Sequence, residues 1–295
     1  MLLLSRDNAV YKPVLHRFAF VLACATLVLI AAGGLVTSTE SGLSVPDWPL
    51  SYGQLFPPMI GGIRFEHTHR VIAGSVGLLT LVTAVLFCKI ESRPWVRNLA
   101  LAAFGAVVLQ AVLGGITVIY LLPPAVSVAH ACLGQTFFCI VSVLALVTSR
   151  RWIEGAPGEA ADPGRARTLL AATAGMVYIQ LIMGACVRHT GHGVVPHIAG
   201  ALAVVVLGLL SAAMIEGSLG AFRMLVVPGR LFIGFILTQI LLGVGAFLTT
   251  QTPRAGPPTV SEVLFTTAHQ AFGALVLMTS VLLAVTAFGR LRSPA

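Results

Sequence analysis

Charge is what this sequence has least of. Asp, Glu, Lys and Arg make up 9% of its 295 residues, while 57% are hydrophobic. Soluble domains carry about a quarter charged residues, and no stretch here is left over for a soluble domain of any size. The formal net charge of +8, placed on such a chain, concerns membrane topology and excludes nucleic-acid binding as its purpose. Cysteine is sparse as well. Cys24, Cys88, Cys132, Cys139 and Cys186 form no CxxC pair and no pair within a loop, which argues against a zinc site or a disulfide framework. They read as small buried residues. No flavin, quinone or iron–sulfur motif is visible, so the sequence names neither an electron donor nor an oxygen source.

Apolar length is what the chain does have. Runs of membrane-spanning size, roughly 20 residues or more each, fall at about 17–37, 69–88, 98–120, 126–148, 168–187, 195–215, 226–249 and 262–288. The first is longer than the roughly 7–15 residues of a signal-peptide core, so LIAAGG is not expected to be a cleavage site. Arg6, Lys12, Arg17, Lys89, Arg93, Arg97, Arg150, Arg151, Arg165, Arg167, Arg223, Arg230, Arg290 and Arg292 flank one side of the spans. The opposite loops hold only Arg64, Arg70, Arg188 and Arg254. Basic residues mark the cytoplasmic side, so both termini are expected there. The expected fold class is an all-α integral membrane protein of eight transmembrane helices, N-in and C-in.

The segment RRWIEGAPGEAADPGRAR has linker composition and divides the spans four and four. Three motif pairs suggest that the halves are repeats: LQAVLGGITV with TQILLGVGAF, GLVTSTESG with ACVRHTGHG, and PPAVSVAHACLG with PPTVSEVLFTTAHQAFG. The expected organisation is a first four-helix half over 1–149, a cytoplasmic linker over 150–167 and a second four-helix half over 168–295. In-helix glycines such as Gly33, Gly34, Gly74, Gly77, Gly114, Gly115, Gly200, Gly243 and Gly245 read as close-packing positions in lipid.

His69, His130, His197 and His269 each lie near the start of an even-numbered span. Even spans run in one direction, so these histidines are expected at one depth, two per half. Two imidazoles facing across a four-helix bundle suit a bis-histidine haem iron. The competing readings are a hydrogen-bonded packing histidine or a metal such as copper held directly, for which each half offers few clustered ligands and no thiolate. Arg64, Arg70, Arg188 and Arg254 are candidates to hold haem propionates through the guanidinium fork, or else they anchor the interface. Glu66 precedes His69 by three residues and so shares its helix face, while His67 points elsewhere. Glu66 would lie beside the haem; the alternative is an acid favoured by the helix dipole. Val194 stands at the matching place before His197, so the two halves are expected to do different work: chemistry in the first, electron transfer or structure in the second.

GGLVTSTESGLSVPDWPLSYGQLFPP, followed by FEHTHRVIAG, resembles haem A synthase, and the likeness extends over the whole chain. The resemblance implies a membrane enzyme of haem biosynthesis that oxidises the methyl at ring position 8 of haem O to a formyl, through successive hydroxylations. It implies haem O as substrate between His69 and His130, with Glu66 as the catalytic glutamate, and haem b as cofactor between His197 and His269. It further implies the cell (inner) membrane, haem sites toward the outer, periplasmic side, and haem O synthase and an electron donor as partners beside the lipid bilayer. Oligomeric state stays open. Three features depart from the pattern. The first outer loop has no cysteine pair, which excludes any mechanism needing one. Aligning IAG at 198–200 with IAG at 72–74 sets His197 against Val71, leaving His192 or His189 as fallback ligands. His269 lies farther from Pro258 than His130 does from Pro124. Trp48, Tyr52 and Phe56 in that loop fit an interfacial aromatic belt, with a lid over the first-half site as the other reading. A non-catalytic di-haem b cytochrome would use the same histidines but give Glu66 no role. A transporter would favour polar groups at the midplane.

Overall fold

The structure is a computed structural model describing residues 9–251 and 256–294. Arg254 and Arg6 lie outside the described residues. The elements are α1 (Pro13–Ser38), α2 (Ile63–Ile90), α3 (Pro94–Ile119), α4 (Pro124–Val147), α5 (Arg150–Glu154), β1 (Gly158–Glu159), α6 (Pro163–Thr190), α7 (Val194–Ser218), α8 (Arg223–Thr250), α9 (Val260–Arg290) and β2 (Leu291–Arg292). Eight of the helices are long and apolar enough to cross a membrane, and the protein is an all-α integral membrane protein. Proline opens α1, α3, α4 and α6, where its fixed φ suits a helix start and its missing N–H costs nothing.

The helices outrun the apolar stretches at their polar ends. α2 starts at Ile63, ahead of the apolar run at 69, because Glu66, His67 and Arg70 find partners in the preceding loop and need not face lipid. Between α6 and α7 the chain turns within Gly191–Gly193, both glycines at positive φ (73° and 92°), which other residues rarely adopt.

α1 packs on α2, α2 on α3, α3 on α4 and α4 on α1, closing a ring of four. α6, α7, α8 and α9 close a second ring in the same way. The rings meet where α1 and α4 touch α9 and α4 touches α6. Large apolar side chains fill the ends away from the histidines: Leu15, Leu22, Phe87, Phe138 and Leu144 in one ring, and Leu170, Ile215, Phe232 and Leu283 in the other. Lipid is as apolar as these side chains, so packing and interhelical hydrogen bonds hold such helices together. Ser38 of α1 bonds Thr266 of α9 at 2.8 Å, and Thr136 of α4 bonds Tyr178 of α6 at 3.0 Å.

The 150–167 segment has structure of its own. Its β1 pairs in parallel with β2. The buried Arg290 guanidinium donates to the carbonyls of Trp152 (2.6 Å), Gly155 (2.5 Å) and Ala156 (2.7 Å). A Gly- and Pro-rich stretch leaves carbonyls without helical partners, and a single arginine fork satisfies three of them.

Candidate functional site

Each span histidine rests its imidazole on a glycine of the span before it. A methyl group placed on Gly33 of α1 would lie 3.1 Å from Cε1 of His69, and one on Gly114 of α3 would lie 3.4 Å from that of His130. The same contact on Gly184 of α6 is 3.0 Å from His197, and on Gly243 of α8 is 2.8 Å from His269. At Gly33, Gly184 and Gly243 a side chain would crowd the ring, whereas at Gly114 the contact is an ordinary one. Packing is therefore the role of Gly33, Gly114 and Gly243, but packing against an imidazole in particular. Gly115 packs on the Trp48 ring (3.0 Å to Cδ2) and Gly34 on Thr267 (3.3 Å). His197, which falls out of register when the IAG triplets are aligned, makes the same glycine contact as the other three. His192 is exposed, with its N–H on Thr190 Oγ1 at 3.1 Å. His189 is half-buried at the end of α6.

The imidazoles come together in pairs. The rings of His197 and His269 are centred 6.3 Å apart and stand at 82° to each other. Two imidazoles on one metal, each bound at about 2 Å, would have centres roughly 6 Å apart, so this spacing fits a single iron between them. His69 and His130 lie close enough for their charges to interact. Among the described residues no three His, Cys, Asp or Glu converge as a metal cage, so the donors available are imidazole pairs. Nδ1 of His69 and of His130 is buried and has no partner in the chain, whereas Nδ1 of His269 meets the Gln239 carbonyl at 3.2 Å. A pair of imidazoles with glycine backing and free nitrogens fits a haem.

Glu66 is buried, and both its oxygens are occupied. Arg70 donates to Oε1 at 2.5 Å, and the Val45 N–H donates to Oε2 at 2.9 Å. Arg70 also donates to the carbonyls of Asp47 and Leu50, each at 2.6 Å, and of Val45 at 3.4 Å. The guanidinium expected near a propionate is thus committed to Glu66 and to the 39–62 loop. His67 turns away from His69 and bonds Ser51 Oγ at 2.9 Å. Within the loop, Asp47 accepts from the N–H groups of Gly53 (2.8 Å) and Tyr52 (2.6 Å). The Gly53 bond foremost, with that of Tyr52 and against a smaller pull from burial, holds its carboxyl below the ordinary range. Trp48, Tyr52 and Phe56 are all exposed, and one face of the Trp48 ring touches Gly115 of α3, next to the glycine that backs His130.

Of the remaining arginines, Arg64 is exposed, with its guanidinium 4.8 Å from the centre of the Phe65 ring. Arg188 lies at the seam between the rings. It donates to Ser38 Oγ at 2.6 Å, and its Nε is buried without a partner. The glutamines one turn before three of the glycines, Gln110, Gln180 and Gln239, were not legible as site residues from the histidine pattern. Their signal is the thrice-written Q-x-x-x-G of QAVLG, QLIMG and QILLG.

Two rings of apolar helices, each with a pair of span histidines, define a multi-pass membrane protein. The profile of the cytochrome oxidase assembly protein family matches residues 16–61 and 63–293. "Heme A synthase" of Exiguobacterium sp. (strain ATCC BAA-1283 / AT1b) is 31% identical over 185 residues, 61% of this chain and 60% of that one. "Heme A synthase" of Geobacillus thermodenitrificans is 27% identical over 180 residues, 59% and 56% of the two chains. That of Roseobacter denitrificans is 32% identical over 146 residues, 45% and 36%. The aligned parts cover less than two thirds of these relatives' own length. With almost the whole chain inside the family profile, the protein belongs to the haem A synthase family, as its outer-loop motif and FEHTHR implied.

Proposed function

We propose that this protein converts haem O to haem A, oxidising the methyl at ring position 8 to a formyl group through successive hydroxylations. His69 and His130 hold the substrate haem, and His197 and His269 hold a haem b cofactor. The observation that carries this reading is the difference between two otherwise similar imidazole pairs. Only the first has a buried carboxylate one turn before a ligand and a folded loop tied to it. In the second, Val194 stands at that place and the connection is the short turn Gly191–Gly193. A di-haem cytochrome would have no use for that difference.

The bound haems supply the redox chemistry, which no side chain can perform alone. Everything else falls to the chain. The four imidazoles bind and orient. Arg70 keeps Glu66 in place next to the first pair, where a carboxylate can stabilise positive charge at the attacked carbon or accept its proton. Arg70 reaches the site through Glu66, which leaves Arg64, Arg188 and Arg254 as the propionate candidates; Arg188 is half-buried, with its Nε donor unused. The loop carrying Trp48 excludes water from the first pair. The basic residues on one side of the spans favour both termini on the cytoplasmic side, and with them the haem sites toward the periplasmic side of the cell membrane. Haem O synthase as supplier, a separate electron-transfer partner, and an external oxidant and oxygen source are further requirements of the reaction.

The test is extraction and chromatography of the haems from protein purified after co-expression with a haem O source. Haem A or its hydroxylated precursor beside haem b is expected. Haem b alone, with haem O present and unchanged, would overturn the reading in favour of the cytochrome.

A further inference from the structure

Ser38 ends α1 in the first ring, yet its hydroxyl is spent on the second. The side chain is buried, 5% exposed. Arg188 of α6 donates to Ser38 Oγ at 2.6 Å, and Thr267 of α9 donates to it at 2.9 Å. The third contact is Thr266 Oγ1 at 2.8 Å. Thr266 gives its own proton to the Glu262 carbonyl at 2.7 Å, so across that contact Ser38 is the donor. A hydroxyl has one proton and two lone pairs to offer, and here all three are used. Gly34, one turn earlier on the same face, lets α1 come close. A methyl group there would stand 3.3 Å from Thr267 Cγ2.

Arg188 is the member of this cluster with capacity left over. It is half-buried, and its Nε–H is buried without an acceptor. A buried donor left unpaired is costly, more so on a charged group. Its surroundings say which site it serves. Thr266 and Thr267 stand three and two residues before His269, in the turn that leads to that imidazole. The Arg188 charge is felt at His269, whereas the charges felt at His69 are those of His130 and Arg70. The Glu262 carboxylate, one turn before Thr266, is near enough for its charge to be felt at Arg188, and it is the competing counter-ion.

We propose that Ser38 is a positioning residue for the haem of the other ring: it seats Arg188 so that the free Nε–H meets a carboxylate, a propionate of the haem between His197 and His269. The inference rests on the reading of that pair as haem ligands given above, and it assigns one of the candidate arginines to one site. An arginine side chain carries much rotamer freedom, and its planar fork suits a carboxylate once the fork is held. A hydroxyl from the neighbouring ring holds it before the haem arrives, so less freedom is lost on binding. The second site then depends on the first ring, because α1 supplies the group that aims its arginine.

The experiment is reconstitution of the detergent-purified full chain with iron protoporphyrin IX or with its dimethyl ester, which has no carboxylate to offer. A His69→Ala, His130→Ala background leaves only the second pair to bind. The diacid should bind about tenfold to hundredfold more tightly than the ester, the range for a hydrogen bond to a charged group. Arg188→Gln should remove most of that preference and lower the reduction potential of the haem, since a nearby cation favours the reduced iron. Ser38→Ala should weaken the preference by about tenfold and lower the potential as well; Ser38→Thr, which keeps the hydroxyl, should restore both. The second-haem potential is also read in the doubly loaded parent and its Ser38→Ala variant, where no histidine is replaced. Equal binding of diacid and ester would mean that Glu262 answers Arg188, and would overturn the proposal. Parental preference and potential in Ser38→Ala would overturn it too, and either result leaves the functional reading standing. A parent chain that takes up no second haem would overturn both.

Discussion

Glu66 and Arg70 meet at 2.5 Å, one helical turn apart, with side chains only 5% and 13% exposed. The pair does two things at once: it holds the Glu66 carboxyl group on the face of His69, and it ties α2 to the loop through the carbonyls of Val45, Asp47 and Leu50. The two tasks separate by mutation. Glu66→Gln can still accept the Val45 N–H, and Arg70 keeps its three carbonyls, so the loop should remain folded while haem A production falls by at least about a hundredfold, the low end for a positioned acid or base. Arg70→Ala should release the loop as well. Removing one partner of a buried ion pair costs about 3–5 kcal/mol, which limited proteolysis between residues 46 and 58 would register as faster cleavage. Parental haem A yield from Glu66→Gln would remove the carboxylate's charge from the chemistry.

The imidazole nests differ in tightness, and that predicts unequal responses to the same small change. An alanine at 243 would place its Cβ 2.8 Å from Cε1 and 3.2 Å from Nδ1 of His269, so the ring must move. At 114 the same methyl would stand 3.4 Å from His130, an ordinary contact. Gly243→Ala should therefore lower second-site haem occupancy sharply, whereas Gly114→Ala should leave first-site occupancy near the parent's. Pyridine haemochrome quantitation per protein checks both. Overpacking costs of about 1–3 kcal/mol correspond to roughly a tenfold to hundredfold loss of binding.

Much of this was legible beforehand, and the reasons are physical. Hydropathy reports spans because lipid admits little else, and the spacing of Glu66 and His69 alone puts them on one face. Arg70 could not be read correctly. Its partners are backbone carbonyls of Val45, Asp47 and Leu50, and carbonyls carry no sequence signal. The start of α2 at Ile63 was hidden for the same reason, since polar residues look unfit for a span until the loop that receives them is folded. The 150–167 segment read as a linker because it is rich in Gly, Pro, Ala and charge, while its fastener, Arg290, lies far along the chain. The glutamines were in plain view, but an isolated amide in an apolar helix has no meaning until its glycine and its imidazole are seen together.

Trp48 is set apart from the other loop aromatics by where its ring sits. Phe56 is 88% exposed, as a belt residue would be, while Trp48, 42% exposed on its other side, packs on Gly115, 3.0 Å from the place a Cβ would take. Gly115→Val should lift the ring off α3 and Trp48→Ala should remove it. Both should hasten entry of small ligands such as carbon monoxide to the first haem and leave the second unchanged. Equal access at both sites in the parent would mean that the loop roofs nothing.

At the far end of the rings a second buried ion pair fixes the turn between α2 and α3. Arg93 grips Glu91 with two N–H groups at 2.9 Å and the Val147 carbonyl with a third at 2.9 Å, and Lys12 bonds the Ile90 carbonyl nearby. Burial pushes the Glu91 carboxyl up, but the Arg93 side chain and backbone N–H together outweigh it and hold the group below the ordinary range. A carboxylate that binds protons less readily when folded adds stability that is complete above its unfolded value and lost as pH falls through its folded value. The detergent-solubilised protein should therefore lose thermal stability as pH drops below about 4. Glu91→Gln should be less stable than the parent at neutral pH, by about 3 kcal/mol for an arginine left buried and unpaired. The gap between the two proteins should narrow as the parent's Glu91 takes up its proton. A gap that stays constant across that range would mean the Glu91 charge contributes nothing, and that the bond geometry alone holds the turn.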